Sequence, residues 1–143
     1  NDNKYKHKIY APLHGATPGL FEEYLKKLLD TEKKFNGRFD GFAIGGIGDA
    51  RRLNSKIWHI PDGINSYVKT VLIISTLVKK LKKILKENND DRPIHILGAG
   101  GIKIITPLIS SGISSFDCHT PWRRASDGNN ESIQSLRTGL DVK

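Results

Sequence analysis

At 143 residues the chain is one domain's worth, long enough to bury a core, and its 37% hydrophobic and 27% charged residues are ordinary for a soluble globular protein. A single cysteine, Cys118, excludes an intrachain disulfide and a cysteine zinc cluster, and no apolar run reaches the ~18 residues of a membrane span. The net charge of +8 favours an anionic partner, nucleic acid first and a phosphorylated small molecule second, although the run Lys79–Lys83 also reads as the solvated face of a helix. A reducing cytoplasm fits the lone thiol. The chain opens on Asn1 without a signal peptide and lacks methionine, which suggests a fragment or a trimmed chain.

The first strand is expected over 6–13, ending at His14-Gly15. Thr17 and Pro18 form an N-cap and N1 pair, and Leu20, Phe21, Tyr24, Leu25, Leu28 and Leu29 recur at helical spacing, so a helix is expected over 18–34, stopped by Asn36-Gly37. Phe39 to Ile44 reads as the second strand and runs into Gly45-Gly46-Ile47-Gly48. The connection from Asp49 to Asp62 is 14 residues long and carries Arg51, Arg52 and Trp58; connections of that length often serve function. Trp58 reads as a packing residue rather than a base-stacking one. A long helix begins at Ile64 or Asn65 and reaches Glu87, with Val68, Val71, Leu72, Ser75, Val78, Leu81 and Leu85 as its expected buried stripe. Pro93 to Leu97 is the third strand, followed by Gly98-Ala99-Gly100-Gly101 and a short helix over 102–111, bent by Pro107 and capped by Gly112. Ile113 to Phe116 is the fourth strand. Beyond Gly128 the chain is a polar tail, 129–143, whose Glu131–Arg137 stretch is compatible with a short helix.

The alternation β-α-β-α-β-α-β predicts an α/β fold with four parallel strands alternating with helices, either an open sheet or half of a barrel. In any parallel α/β fold the ends of the strands share one face, and that face holds the ligand. The unusual residues of this chain all follow strands: His14-Gly15, the two glycine clusters, and Asp117, with Trp122-Arg123-Arg124 soon after. A carboxylate at a strand end can bond covalently to an electrophile while arginines hold phosphate. The plainer reading of Asp117 alone is a turn residue accepting backbone hydrogen bonds. No hydrolase triad is visible in the spacing, the five histidines lack metal-ligand spacing, and His95 reads as a residue lining or packing within its strand.

Three stretches, in order, resemble the tRNA-guanine transglycosylases: Phe39-Asp40-Gly41-Phe42-Ala43-Ile44-Gly45-Gly46-Ile47 their glycine loop, Pro93-Ile94-His95-Ile96-Leu97-Gly98-Ala99-Gly100 their next strand, and Ser111-Gly112-Ile113-Ser114-Ser115-Phe116-Asp117-Cys118, with Pro121 and Arg123, the strand that carries their nucleophile. The resemblance runs from about Ile9 to Gly128. It implies that residues 1–128 are the C-terminal half of a (β/α)8 TIM barrel. It further implies base exchange, in which guanine in tRNA, or in DNA in a DNA-modifying branch, is replaced by a 7-deazaguanine through a covalent aspartyl intermediate. Asp117 would be the nucleophile. Gly45, Gly46 and Ile47 would offer backbone groups to the base edge, and Leu97 would lie under the base. His14, beside Gly15, stands where the family has a base-reading glutamine. Arg123 and Arg124, with Arg51 and Arg52, would meet nucleic acid. The family's zinc site, a cysteine cluster with a histidine, has no counterpart here, so no cofactor is expected in this chain. The barrel half with the second catalytic aspartate is missing too, so the chain looks catalytically incomplete, and association into homo- or hetero-oligomers is expected.

The sequence also supports two rival readings. The Gly98-to-Ile102 turn also looks like a phosphate-gripping βα turn of a flavin- or sugar-phosphate-binding barrel. Alternatively, the chain is a non-catalytic homologue that binds nucleic acid and supports an active partner.

Overall fold

The computed structural model describes residues 7–47, 53–99 and 101–118. In chain order it holds β1 (Tyr10–Leu13), α1 (Pro18–Phe35), β2 (Gly41–Ile44), α2 (Ser66–Glu87), β3 (Ile94–Ile96), α3 (Ile102–Leu108) running into a 3-10 turn (Ile109–Ser111), and β4 (Ser115–Phe116). The expected polar tail lies outside the described residues.

Local chemistry sets the boundaries. Thr17 caps α1, its hydroxyl accepting the Leu20 N–H at 3.2 Å, and Asn36 ends the helix in the left-handed conformation at φ 50°. Asn65 caps α2 by accepting the Tyr67 N–H at 2.9 Å. β2 begins at Gly41 rather than at Phe39: Phe39 is drawn to a helix side chain, and Asp40 meets Ile9 through its N–H and its carboxylate. Phe39 N–H donates to Glu32 Oε1 at 2.8 Å, and the Asp40 carboxylate accepts the Ile9 N–H at 2.8 Å. Pro107 sits within α3, which passes into the 3-10 turn and stops at Gly112, where φ is 86°.

The four strands form one parallel sheet in the order β1-β2-β3-β4. An open doubly wound sheet reverses its strand order partway, whereas this sheet runs straight across. With right-handed crossovers, an unreversed order places every helix on the same side. Accordingly α1 packs on α2 and α2 on α3 in a single layer. Four parallel strands alternating with helices in this order form half of a (β/α)8 barrel.

The core lies between sheet and helices. Ala11, Leu13, Phe42, Ile44, Ile94 and Ile96 point to the helix layer and are almost wholly buried. Trp58 is also buried and packs against Phe21, with ring centroids 6.4 Å apart. The buried stripe of α2 differs from the expected one. Thr70, Ile73, Ile74, Leu77, Val78, Leu81, Ile84 and Leu85 are buried, whereas Val68 and Leu72 are exposed. Apolar residues span a wide arc of this helix, and the sheet with its two flanking helices covers an arc turned away from Val68 and Leu72. The lysine run is partly structural, since Lys80 pairs with Glu22 at 2.9 Å and Lys82 donates to the Arg92 carbonyl at 3.1 Å.

The opposite face of the sheet follows from strand alternation. It carries Tyr10 and Pro12 from β1, Gly41 and Ala43 from β2, His95 from β3 and Ser115 from β4. In a closed barrel this face is the interior.

At the entry end of the strands sits an ionic clasp that sequence reasoning did not find. The buried Arg92 guanidinium donates to both Glu32 oxygens, at 2.6 and 2.7 Å, to Asp90, and to the Phe39 carbonyl at 2.9 Å. It also lies 4.5 Å from the Phe42 ring centroid.

Candidate active site

Strand register builds the site. Leu13 pairs with Ile44, Ile44 with Ile96, and Ile96 with Phe116, so the last residues of all four strands form one row. The ladder continues one step further, because Gly45 N–H donates to the Leu13 carbonyl at 3.0 Å, Leu97 N–H to Ile44 at 2.9 Å, and Asp117 N–H to Ile96 at 3.3 Å. The next row is therefore His14, Gly45, Leu97 and Asp117. Four residues singled out from sequence thus stand side by side at the exit end of the sheet.

Within this row His14 lies against the backbone of Gly45. A Cβ on Gly45 would stand 2.5 Å from His14 Cε1 and 3.0 Å from Nδ1, so the absence of a side chain is what admits the ring. Gly46 follows with φ 78° and is exposed, while the Ile47 side chain is wholly buried, leaving only its backbone for any ligand. Leu97 is 37% exposed and Gly15 half-buried. Arg51, Arg52, Arg123 and Arg124 lie outside the described residues.

Asp117 occupies a specific hydrogen-bonding position. Its Oδ1 accepts the Gly98 N–H at 3.0 Å and faces His95 Nε2 at 3.2 Å. The Gly98 N–H, first, holds the Asp117 carboxyl below the usual carboxylate range; slight burial opposes this, and the hydrogen bond and charge of His95 add to it. An ionised carboxylate only accepts, so His95 Nε2 carries the proton and donates. Nδ1 lies 2.8 Å from the Ser115 hydroxyl, which can donate to it or accept from it. The resulting line, Ser115 to His95 to Asp117, was not visible in the residue spacing. A readable signal did exist: aligning the ends of the two adjacent parallel strands at Ile96 and Phe116 puts His95 opposite Ser115.

Among the described residues no three His, Cys, Asp or Glu side chains converge as a metal site, and the sequence's one cysteine, Cys118, is half-buried. The residues present do not fit the cysteine-rich zinc site of the family.

The fold and this row define a barrel-type α/β domain with an ionised carboxylate at a strand end, facing the sheet side opposite the helices. No known family model matches the chain. Curated proteins do. The queuine tRNA-ribosyltransferase of Chlamydia felis is 32% identical over 128 residues, covering 90% of this chain and 27% of its own length. That of Helicobacter acinonychis is 26% identical over 124 residues (87% and 26%), and that of Thermosipho africanus 29% over 116 residues (81% and 26%). The chain thus spans about a quarter of the length of the curated relatives it matches. These matches to most of the chain support a place in the tRNA-guanine transglycosylase superfamily.

Proposed function

We propose that this chain carries the nucleophile of a base-exchange transglycosylase acting on nucleic acid. The observation that supports this best is the position of Asp117: an ionised carboxylate at the end of β4, in one row with His14, Gly45 and Leu97. In the proposed reaction a carboxylate oxygen of Asp117 attacks C1′ of a guanosine. The C1′–N9 bond breaks, and its electron pair leaves with guanine, which gains a proton. A 7-deazaguanine then attacks C1′ through its own ring nitrogen and loses a proton. The bond to Asp117 breaks, and the carboxylate is restored with its electron pair. Two displacements on opposite faces retain the configuration at C1′.

The relatives' names point to tRNA as substrate, and DNA is the alternative polymer. His14 and the backbone of Gly45, Gly46 and Ile47 would read the base edge, and Leu97 would lie under it. Arg123 and Arg124, with Arg51 and Arg52, would contact the polymer, in keeping with the net charge of +8. The target base must leave its stack to reach a strand end. The rival phosphate-binding reading loses ground at Gly98. Its N–H already donates to Asp117, so a phosphate gripped there would face a carboxylate.

The test is exchange of labelled guanine from RNA and from DNA, with the covalent adduct trapped on a denaturing gel. Asp117→Asn should abolish both exchange and adduct while nucleic-acid binding survives, since phosphate contacts supply most of that affinity. Arg123→Ala should weaken binding and flatten its salt dependence. An Asp117→Asn protein that still exchanges base and forms the adduct would remove Asp117 from the reaction. A wild-type protein that binds RNA but never forms the adduct would favour the non-catalytic reading.

A further inference from the structure

We propose that His95 is a positioning residue for Asp117: together with the Gly98 N–H it fixes carboxylate oxygen Oδ1 and so directs Oδ2 to the substrate. This deepens the base-exchange reading and rests on it. The geometry carries the argument. Both donors converge on Oδ1, Gly98 N–H at 3.0 Å and His95 Nε2 at 3.2 Å, whereas Oδ2 accepts no hydrogen bond among the described residues. A carboxylate oxygen already holding two donors has less electron density to share, so the other oxygen is the better nucleophile. Two donors on one oxygen also stop rotation of the carboxylate about its bond to Cβ. Asp117 needs such support because its side chain is 59% exposed among the described residues.

The imidazole is itself built into place. Ser115 holds Nδ1 at 2.8 Å, and the Asp117 carboxylate, which can only accept, faces the proton on Nε2. Tyr10 meets the ring edge-on, with centroids 6.4 Å apart and planes at 80°. The two rings come from strands separated by β2, and they meet because β2 places only Gly41 and Ala43 between them. A Cβ on Gly41 would stand 3.0 Å from Tyr10 Cε2, so this small residue is part of the arrangement. The groups facing His95 are thus Tyr10 from β1, uncharged Ala43 from β2, and Ser115 and Asp117 from β4. Asp117 is the single carboxylate among them.

Two polar replacements separate positioning from folding. In His95→Gln the amide nitrogen reaches as far as Nε2 and can still donate to Asp117. In His95→Asn the shorter amide reaches only as far as Nδ1, keeping the Ser115 side of the line and losing Asp117. Two readouts are taken on the full chain: the titration of the Asp117 carboxyl carbon by 13C NMR, which needs no turnover, and the rate of adduct formation with saturating guanine-containing RNA. The Asn variant should raise the Asp117 titration toward ordinary carboxylates and slow adduct formation about a hundredfold, the scale of a misplaced reacting group, with RNA affinity unchanged. The Gln variant should stay near wild type in both. An Asn variant indistinguishable from wild type in the Asp117 titration would overturn the proposal, as would a Gln variant as impaired as Asn. An inert Asp117→Asn protein beside a full-rate His95→Asn protein overturns this proposal alone. An Asp117→Asn protein that still forms the adduct overturns the base-exchange reading and the role of His95 with it.

Discussion

Replacing Arg92 with methionine tests the reading of the ionic clasp. All five N–H donors of the guanidinium are engaged: Nε with the two Asp90 oxygens, Nη1 with Glu32 Oε1 and the Phe39 carbonyl, and Nη2 with Glu32 Oε2 and Asp90 Oδ2. The side chains of Arg92, Glu32 and Asp90 are 6%, 9% and 8% exposed, so water cannot readily take the place of these bonds. Methionine keeps the aliphatic packing near Phe42 and removes the charge. It leaves two buried carboxylates close together and the Phe39 carbonyl without its donor. Removing one partner of a buried ion pair costs about 3–5 kcal/mol. Some support survives, because Phe39 N–H still bonds Glu32, the backbone N–H of residue 92 still bonds Asp90 at 3.0 Å, and the exposed Arg38 stands 3.7 Å from Asp90. The lower end, about 3 kcal/mol, is therefore expected, or about 10 °C in Tm for a domain of this size.

Urea unfolding followed by far-UV circular dichroism, at one protein concentration for both proteins, measures this difference. Its pH dependence checks the cause. Burial alone would raise the Glu32 and Asp90 carboxyls, but the hydrogen bonds and charge of Arg92 override it and hold both below their usual values. The unfolded chain then binds more protons than the folded one between the two sets of pKa values, so stability rises with pH across that window. The contribution is complete above the unfolded carboxylate value of about 4 and is lost as pH falls through the lower folded values. The gap between wild type and Arg92→Met should accordingly be widest at neutral pH and narrow in acid. A loss under about 1 kcal/mol at neutral pH, the worth of an exposed pair, would refute the argument.

Two further outcomes follow from the same structure. Gly45→Ala should displace the His14 ring, since the new Cβ would stand 2.5 Å from Cε1; because that ring is exposed and free to swing, stability should change by no more than about 1 kcal/mol while guanine exchange falls, and an unmoved His14 NMR signal would contradict this. The chain by itself should also self-associate through the sheet face opposite the helices and the outer edges of β1 and β4; sedimentation velocity giving a monomer at all concentrations, with a sharp cooperative melt, would count against it.

Much of the site could be read from the sequence because it depends on where strands end. Each apolar run stops at a residue unlike those before it: His14 after Leu13, Gly45 after Ile44, Gly98 shortly after Ile96, and Asp117 after Phe116. In a parallel sheet such stops must fall at one end, so the row required no knowledge of side-chain packing. Strand starts were harder to place. Phe39 and Asp40 have the composition of a strand, but their hydrogen bonds go to Glu32 and Ile9, and such long-range partners leave no periodic trace. The same limit hid the clasp, since Glu32 and Arg92 are 60 positions apart. The α2 stripe was legible only in part, with Val78, Leu81 and Leu85 buried but Val68 and Leu72 exposed: with apolar residues on more than one side, periodicity gives the helix but not the direction in which it is turned. His95 was placed correctly in its strand, yet its partners depended on register.

The clasp and the site sit at opposite ends of the same short strands. Glu32, Phe39, Asp90 and Arg92 precede β2 and β3, whereas His14, Gly45, Leu97 and Asp117 follow β1 to β4. Parallel barrels separate stability at the entry end from chemistry at the exit end in this way. Here the separation has a physical reason. A guanidinium bonded to Asp117 would be a stronger partner than His95 and would occupy the oxygen that the proposed reaction needs free. Placing Arg92, the one buried cation among the described residues, a strand's length away lets the clasp anchor β2 and β3 without drawing on the Asp117 carboxylate. The weaker donors, Gly98 N–H and His95, are then left to orient it.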